Sequence, residues 1–130
     1  MGMPAAKKGD RITATDVHFI QPPGTAPQTT VKHPFKGRIN GNLSANVNIM
    51  GKPAAMMNST ATNTPAHQPI GGTFVKPPGP ANRGSIIAGS PTVFINGKPA
   101  ARSGDTAITC NDPVDLPVGK VVAKGTVFIG

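Results

Sequence analysis

A short phrase occurs three times in this chain, and its recurrence limits the fold more than any other feature. Pro4-Ala5-Ala6-Lys7 returns as Pro53-Ala54-Ala55-Met56 and again as Pro99-Ala100-Ala101-Arg102. The later copies share a lead-in, Val47-Asn48-Ile49-Met50-Gly51-Lys52 against Val93-Phe94-Ile95-Asn96-Gly97-Lys98. Those lead-ins alternate apolar and variable residues and end in Gly before Pro, the pattern of a half-buried strand closed by a turn. Six residues after each proline stands Asp10, Ser59 or Asp105, and a Thr-rich stretch follows.

The units continue in parallel. Phe19-Ile20-Gln21-Pro22-Pro23-Gly24 is echoed by Phe74-Val75-Lys76-Pro77-Pro78-Gly79 and more loosely by Leu116-Pro117-Val118-Gly119. Gly37-Arg38-Ile39, Gly84-Ser85-Ile86 and Gly125-Thr126-Val127-Phe128-Ile129 read as closing strands. The expectation is a single domain over 1–130 with pseudo-repeats at roughly 1–45, 46–91 and 92–130. Each repeat is strand, tight turn, extended excursion, strand. Proline-rich excursions offer few ladder bonds, so their backbone is expected to be tied down at the far end.

Composition supports a mainly β reading. Val and Ile number 20 against 2 Leu, a choice that suits pleated surfaces better than helices. Pro is spread so evenly that no window for a long helix remains. Ile, Val, Leu and Phe reach only 27 of 130 residues, and Trp and Tyr are absent, which excludes a core built on aromatics and leucines. Such a chain needs a metal, repeats or a partner to hold it. No apolar run approaches membrane-spanning length, and Met1 to Lys8 lacks a signal peptide's apolar stretch. Synthesis in the cytoplasm, with export by a route that needs no cleaved signal, is the expectation.

The charge of +8 is scattered, with Lys7-Lys8 the one adjacent pair of cations. Interleaved stacking aromatics are missing, so the expectation is a basic solvated surface with no nucleic-acid partner. An acidic protein surface or an anionic membrane is the other fit for that charge. All five acids are Asp, which rules out a metalloprotease motif that needs Glu between two His. One cysteine cannot form an internal disulfide.

His18 and His67 lie 14 residues after Pro4 and Pro53, and Cys110 lies 11 after Pro99. Each unit thus carries one metal-capable side chain at about the same place, and His33, just before Pro34, is a fourth on the first unit's return path. Units packed about a pseudo-threefold axis would bring these groups together. Three imidazoles and a thiolate make a closed tetrahedral Zn²⁺ site, structural by ligand count. Scattered surface histidines and one buried thiol are the alternative.

At these residues the chain resembles the PAAR-repeat family, whose Pro-Ala-Ala-Arg phrase stands verbatim at Pro99 to Arg102. The resemblance departs at Lys7, Met56 and Ser59. It implies a small conical fold of short strands with a zinc-tied apex, His18, His33, His67 and Cys110 holding one ion per chain. It also implies a structural, non-enzymatic role as the single tip on a trimeric VgrG-like spike of a contractile injection machine, a type VI secretion system or a phage-tail-like particle. The motif turns and lead-in strands would then face the trimer, through Val47, Ile49, Pro53, Val93, Ile95, Pro99, Val127 and Ile129. Members meet a target membrane transiently and are secreted or delivered into the target cell. Larger relatives carry effector or adaptor extensions, and this chain reads as a bare tip. A zinc hydrolase needs an open coordination position and a general base. Asp16, two before His18, and Asp112, two after Cys110, read instead as turn residues or as acceptors orienting the ligands. A basic zinc module for nucleic acid is suggested by charge alone.

Overall fold

The computed structural model describes residues 2–76 and 79–130; Pro77 and Pro78, part of the second Pro-Pro-Gly echo, lie outside the described residues. All regular elements among them are strands: β1 Met3–Pro4, β2 Arg11–Gln21, β3 Thr29–Gly41, β4 Asn48–Ile49, β5 Lys52–Pro53, β6 Thr60–Asn63, β7 Thr73–Phe74, β8 Arg83–Ile86, β9 Phe94–Ile95, β10 Lys98–Pro99, β11 Thr106–Thr109, β12 Leu116–Val122 and β13 Phe128–Ile129. The largest sheet runs β12-β11-β8-β6-β3-β2-β7, and a further pairing of β12 with β2 closes six of its strands into an antiparallel barrel. Closure removes the open edges that a flat sheet of such Val- and Ile-rich strands would leave.

The threefold phrase builds one end of this barrel. The N–H of Ala6 donates to the carbonyl of Ala101 (2.9 Å), that of Ala101 to Ala55 (3.1 Å), and that of Ala55 back to Ala6 (3.0 Å). The ring closes on itself. A second ring surrounds it, from Lys8 to Pro53, Met57 to Pro99 and Ser103 to Pro4. All six alanines of the three phrases are buried where the three backbones meet. Ala6, Ala55 and Ala101 point into the barrel core, while Ala5, Ala54 and Ala100 point the other way, against Ile49, Ile95, Ile129 and Met56.

Beyond each phrase comes the same tight turn. Asp10 Oδ2 accepts the N–H of Lys7 (3.0 Å), Ser59 Oγ that of Met56 (3.0 Å), and Asp105 Oδ2 that of Arg102 (2.7 Å). The left-handed position before it is filled by Gly9, Asn58 and Gly104, at φ 92°, 78° and 93°. Ser59 therefore preserves the turn despite lacking a carboxylate. Where Lys7–Asp10 and Arg102–Asp105 are ion pairs, Met56 and Ser59 drop both charges together, and Met56 packs in the apolar cluster. Losing one partner alone would strand a charge in a poorly solvated place.

Two expectations are corrected. Strand β13 does not close the third unit. It pairs with β1, Met3 opposite Ile129, and so supplies to the first phrase the lead-in strand that β4 and β9 supply to the others. The N–H of Ala5, Ala54 and Ala100 then donate to the carbonyls of Val127, Val47 and Val93. The closing strand of the third unit is Gly119 to Val121 in β12: Val121 donates to Asp105, as Ile39 does to Asp10 and Ile86 to Ser59. The first excursion, moreover, is a regular ladder, β2 on β3 from Arg11–Arg38 to Ile20–Thr29. Pro34 fits because β6 flanks β3 only from Gly37 onward, so no second neighbour asks for its missing N–H.

Inside the barrel, side chains alternate in and out as a pleat requires. Ile12, Phe35, Ile39, Ile86 and Val121 form an apolar layer beside the alanine ring. Gly37 and Gly84 lie against the Phe35 ring, where a Cβ would come within 2.7 Å and 3.2 Å of it. Farther along the same strands the interior turns polar.

Candidate metal centre

Strand β2 carries Ile12, Asp16, His18 and Ile20 on its inner face, and β3 carries His33 and Phe35 on its own. His18 lies eight residues past Asp10 at the motif turn, about 26 Å at strand rise. His67 comes from the irregular chain after β6 and Cys110 from the end of β11. All four side chains are buried. The three imidazole centroids lie 5.0–5.3 Å apart, so His18, His33 and His67 form one cluster.

One close set of donors includes Asp16, which the sequence offers as a turn residue or an acceptor orienting the ligands and not as a ligand. Ligand atoms of Asp16, His18, His67 and Cys110 all lie within 4.8 Å of one another. Asp16 is wholly buried and sits on a strand, not in a turn. Its Oδ2 accepts from His67 Nε2 at 2.8 Å and from Cys110 Sγ at 3.4 Å; its Oδ1 accepts from Thr109 Oγ1 at 2.6 Å and Asn111 Nδ2 at 3.3 Å. The signal was the alternation of β2, since a residue two before an inward histidine also points inward.

Neighbouring groups aim the ligands. Asn63 Nδ2 donates to His67 Nδ1 at 3.2 Å, which leaves the hydrogen on Nε2 for Asp16. Asn82 Oδ1 accepts the backbone N–H of His67 and a hydrogen of Asn63. Asp112 Oδ2 accepts the N–H of Phe19 at 2.9 Å and lies 3.5 Å from His18 Nδ1, too far for a good hydrogen bond. His33 meets two carbonyl oxygens, Gln68 at 2.8 Å from Nε2 and Val31 at 3.2 Å from Nδ1.

These residues fit a metal ion. Both nitrogens of His18 are buried with no hydrogen-bond partner, which is costly unless something else binds them. Burial holds the His18 imidazole below its usual pKa despite Asp112, and so favours the neutral form that ligates. Burial, with the charge of Asp16, pushes the Cys110 thiol up to about 12. Backbone N–H groups of Asn82 and Arg83 reach its sulfur, ready to support a thiolate once an ion displaces the proton.

A family model for the PAAR motif matches residues 32–116 and again 76–130. The chain belongs to the PAAR-motif family. Membership makes it a structural, spike-tip-type component of contractile injection systems, associated with a spike complex and exported with the machine. No curated protein matches the chain. In this PAAR protein the three phrases form one end of the barrel and the metal-capable cluster lies toward the other. Of the lead-in residues, Ile49, Ile95 and Ile129 turn inward, Pro53 and Pro99 are half-buried, and Val47, Val93 and Val127 face out with Phe94 and Phe128.

Proposed function

We propose that this PAAR protein caps the blunt end of a trimeric VgrG-like spike, one copy per trimer, and leads it into a target membrane. The observation that carries the reading is the closed ring of Ala6, Ala55 and Ala101. It gives a single chain a nearly threefold face, the symmetry a trimer's end presents. Around that ring stand three equivalent exposed valines, Val47, Val93 and Val127, joined by Phe94 and Phe128. An exposed apolar set of this kind marks an interface. At the far end, one Zn²⁺ held by His18, His67 and Cys110, with His33 or Asp16 as the fourth donor, ties strands from all three units. Two nitrogens and a sulfur favour zinc over the oxygen-seeking Mg²⁺ and Ca²⁺. The tie substitutes for a core that contains a single buried phenylalanine, Phe35.

Co-purification with the trimeric spike tests the reading. Val93→Asp with Val127→Asp should abolish docking while metal content and the melting curve stay near wild type. Docking that survives both changes would refute the proposed face.

A further inference from the structure

The outer wall of the barrel carries a row of like charges. Arg38 on β3 is the cross-strand partner of Arg11 on β2 and, on its other side, of Thr62 on β6, which in turn pairs with Arg83 on β8. Cross-strand partners share a face, so the three guanidinium groups all stand on the outside of the barrel, spread over four consecutive strands, about 14 Å along the curved wall at three strand spacings. Two residues along, Lys36 pairs with Thr13, and Thr13 with Lys120 of β12. All five cations are exposed.

Nothing negative offsets them. Asp10 and Asp105 are engaged by Lys7 and Arg102, Asp16 is buried in the metal-capable group, Asp112 is buried beside His18, and Asp115 precedes β12 at its other end. Among the described residues no carboxylate lies within 4.0 Å of any of the five. Arginines set directly opposite each other cost stability in a sheet. The arrangement is therefore one that an external anion improves.

The shape of the wall selects the anion. A closed six-strand barrel is convex, so a rigid partner would have to be hollowed to match it, whereas mobile headgroups rearrange around it. No aromatic side chain joins the row for bases to stack on, since Phe35 points inward. Arginine forks match phosphate oxygens in pairs. We infer that this β2–β3–β6–β8 side of the barrel is an anionic-lipid surface, on which Arg11, Arg38 and Arg83 engage headgroup phosphates. The inference rests on the spike-tip reading only for the chain's arrival at a membrane.

Vesicle co-sedimentation of the full-length, metal-loaded chain tests it, with phosphatidylcholine alone or mixed with phosphatidylglycerol. The chain should sediment with the mixed vesicles at low salt, be released as salt rises, and ignore the neutral ones. R11Q/R38Q/R83Q should weaken partitioning about a hundredfold, at roughly fivefold per charge near an anionic surface. The matching triple lysine variant should keep most of it, and K52Q/K98Q, at the motif end, should change nothing. Unchanged binding by the triple glutamine variant, equal binding to neutral vesicles, or a tighter hold on duplex DNA than on mixed vesicles overturns the inference. A chain that docks on a spike yet ignores both vesicles overturns it while the spike-tip reading stands. One that binds anionic vesicles but no spike does the reverse.

Discussion

Asp16 and His67 stand 51 residues apart in the chain, yet Asp16 Oδ2 accepts a hydrogen bond from His67 Nε2 at 2.8 Å with both side chains buried. The same carboxylate gathers Thr109, Cys110 and Asn111 from the third unit. A single residue thus joins all three repeats at the metal-capable end. Replacing it by Ala would leave those donors buried and unpaired, and should cost roughly 3–5 kcal/mol. Asp16→Asn keeps part of the network and should cost less. Urea unfolding of the metal-free variants measures both, and an Ala variant as stable as wild type would remove Asp16 from the account.

Metal content gives a second prediction. Purified chain should hold one zinc ion, and Cys110→Ser or His18→Ala should lower its affinity and the melting temperature together. A chelator should lower the wild-type melting temperature toward that of the variants. Elemental analysis that finds no stoichiometric metal in protein never exposed to chelator defeats the zinc reading.

The pH dependence follows from two shifted groups. Burial lowers the His18 pKa below its unfolded value near ~6.5, so the metal-free fold takes up fewer protons there than the unfolded chain. That contribution is complete above ~6.5 and is lost as pH falls through the folded-state value. Burial raises Cys110 to about 12, so its contribution is complete below the unfolded value near ~8.5 and is lost as pH rises toward the folded one. Metal-free protein should therefore be most stable between ~6.5 and ~8.5. Bound metal holds the thiolate and reverses the alkaline limb, while acid still releases the ion. Urea midpoints across pH, with and without zinc, read this out; an alkaline limb that is the same in both forms would show that Cys110 is not a ligand.

Packing under Phe35 supplies the fourth. Ala at position 37 would bring its Cβ within 2.7 Å of the Phe35 ring and 3.0 Å of the Ala61 methyl. Gly37→Ala should cost about 1–3 kcal/mol, as overpacking does. Adding Phe35→Leu should recover part of that loss in the double variant, whereas strict additivity would mean that the two positions do not meet.

Much of this fold is legible in the sequence because the chain states it three times. Copies of one phrase must occupy equivalent places, and the Asp10, Ser59 and Asp105 echo falls on one turn. The metal-capable end was legible for the same reason, with His18, His67 and Cys110 in phase. What phase does not reveal is pairing across the chain ends. Gly125 to Ile129 reads as a closing strand by composition, but only the fold shows that Met3 and Pro4 need a partner there. Asp16 reads from sequence as a turn residue or an acceptor orienting the ligands, and its burial among them follows from the strand phase of β2. The long β2–β3 ladder was obscured by Pro34, which sits beyond the reach of β6.

On the proposed function, one chain with a threefold face caps one trimer. Native mass spectrometry of the complex with a co-expressed trimeric VgrG-like spike measures it most directly. The expected mass is that of three spike chains plus a single PAAR chain carrying one zinc ion. Three PAAR chains on each trimer, or a spike trimer that never retains one, would contradict it.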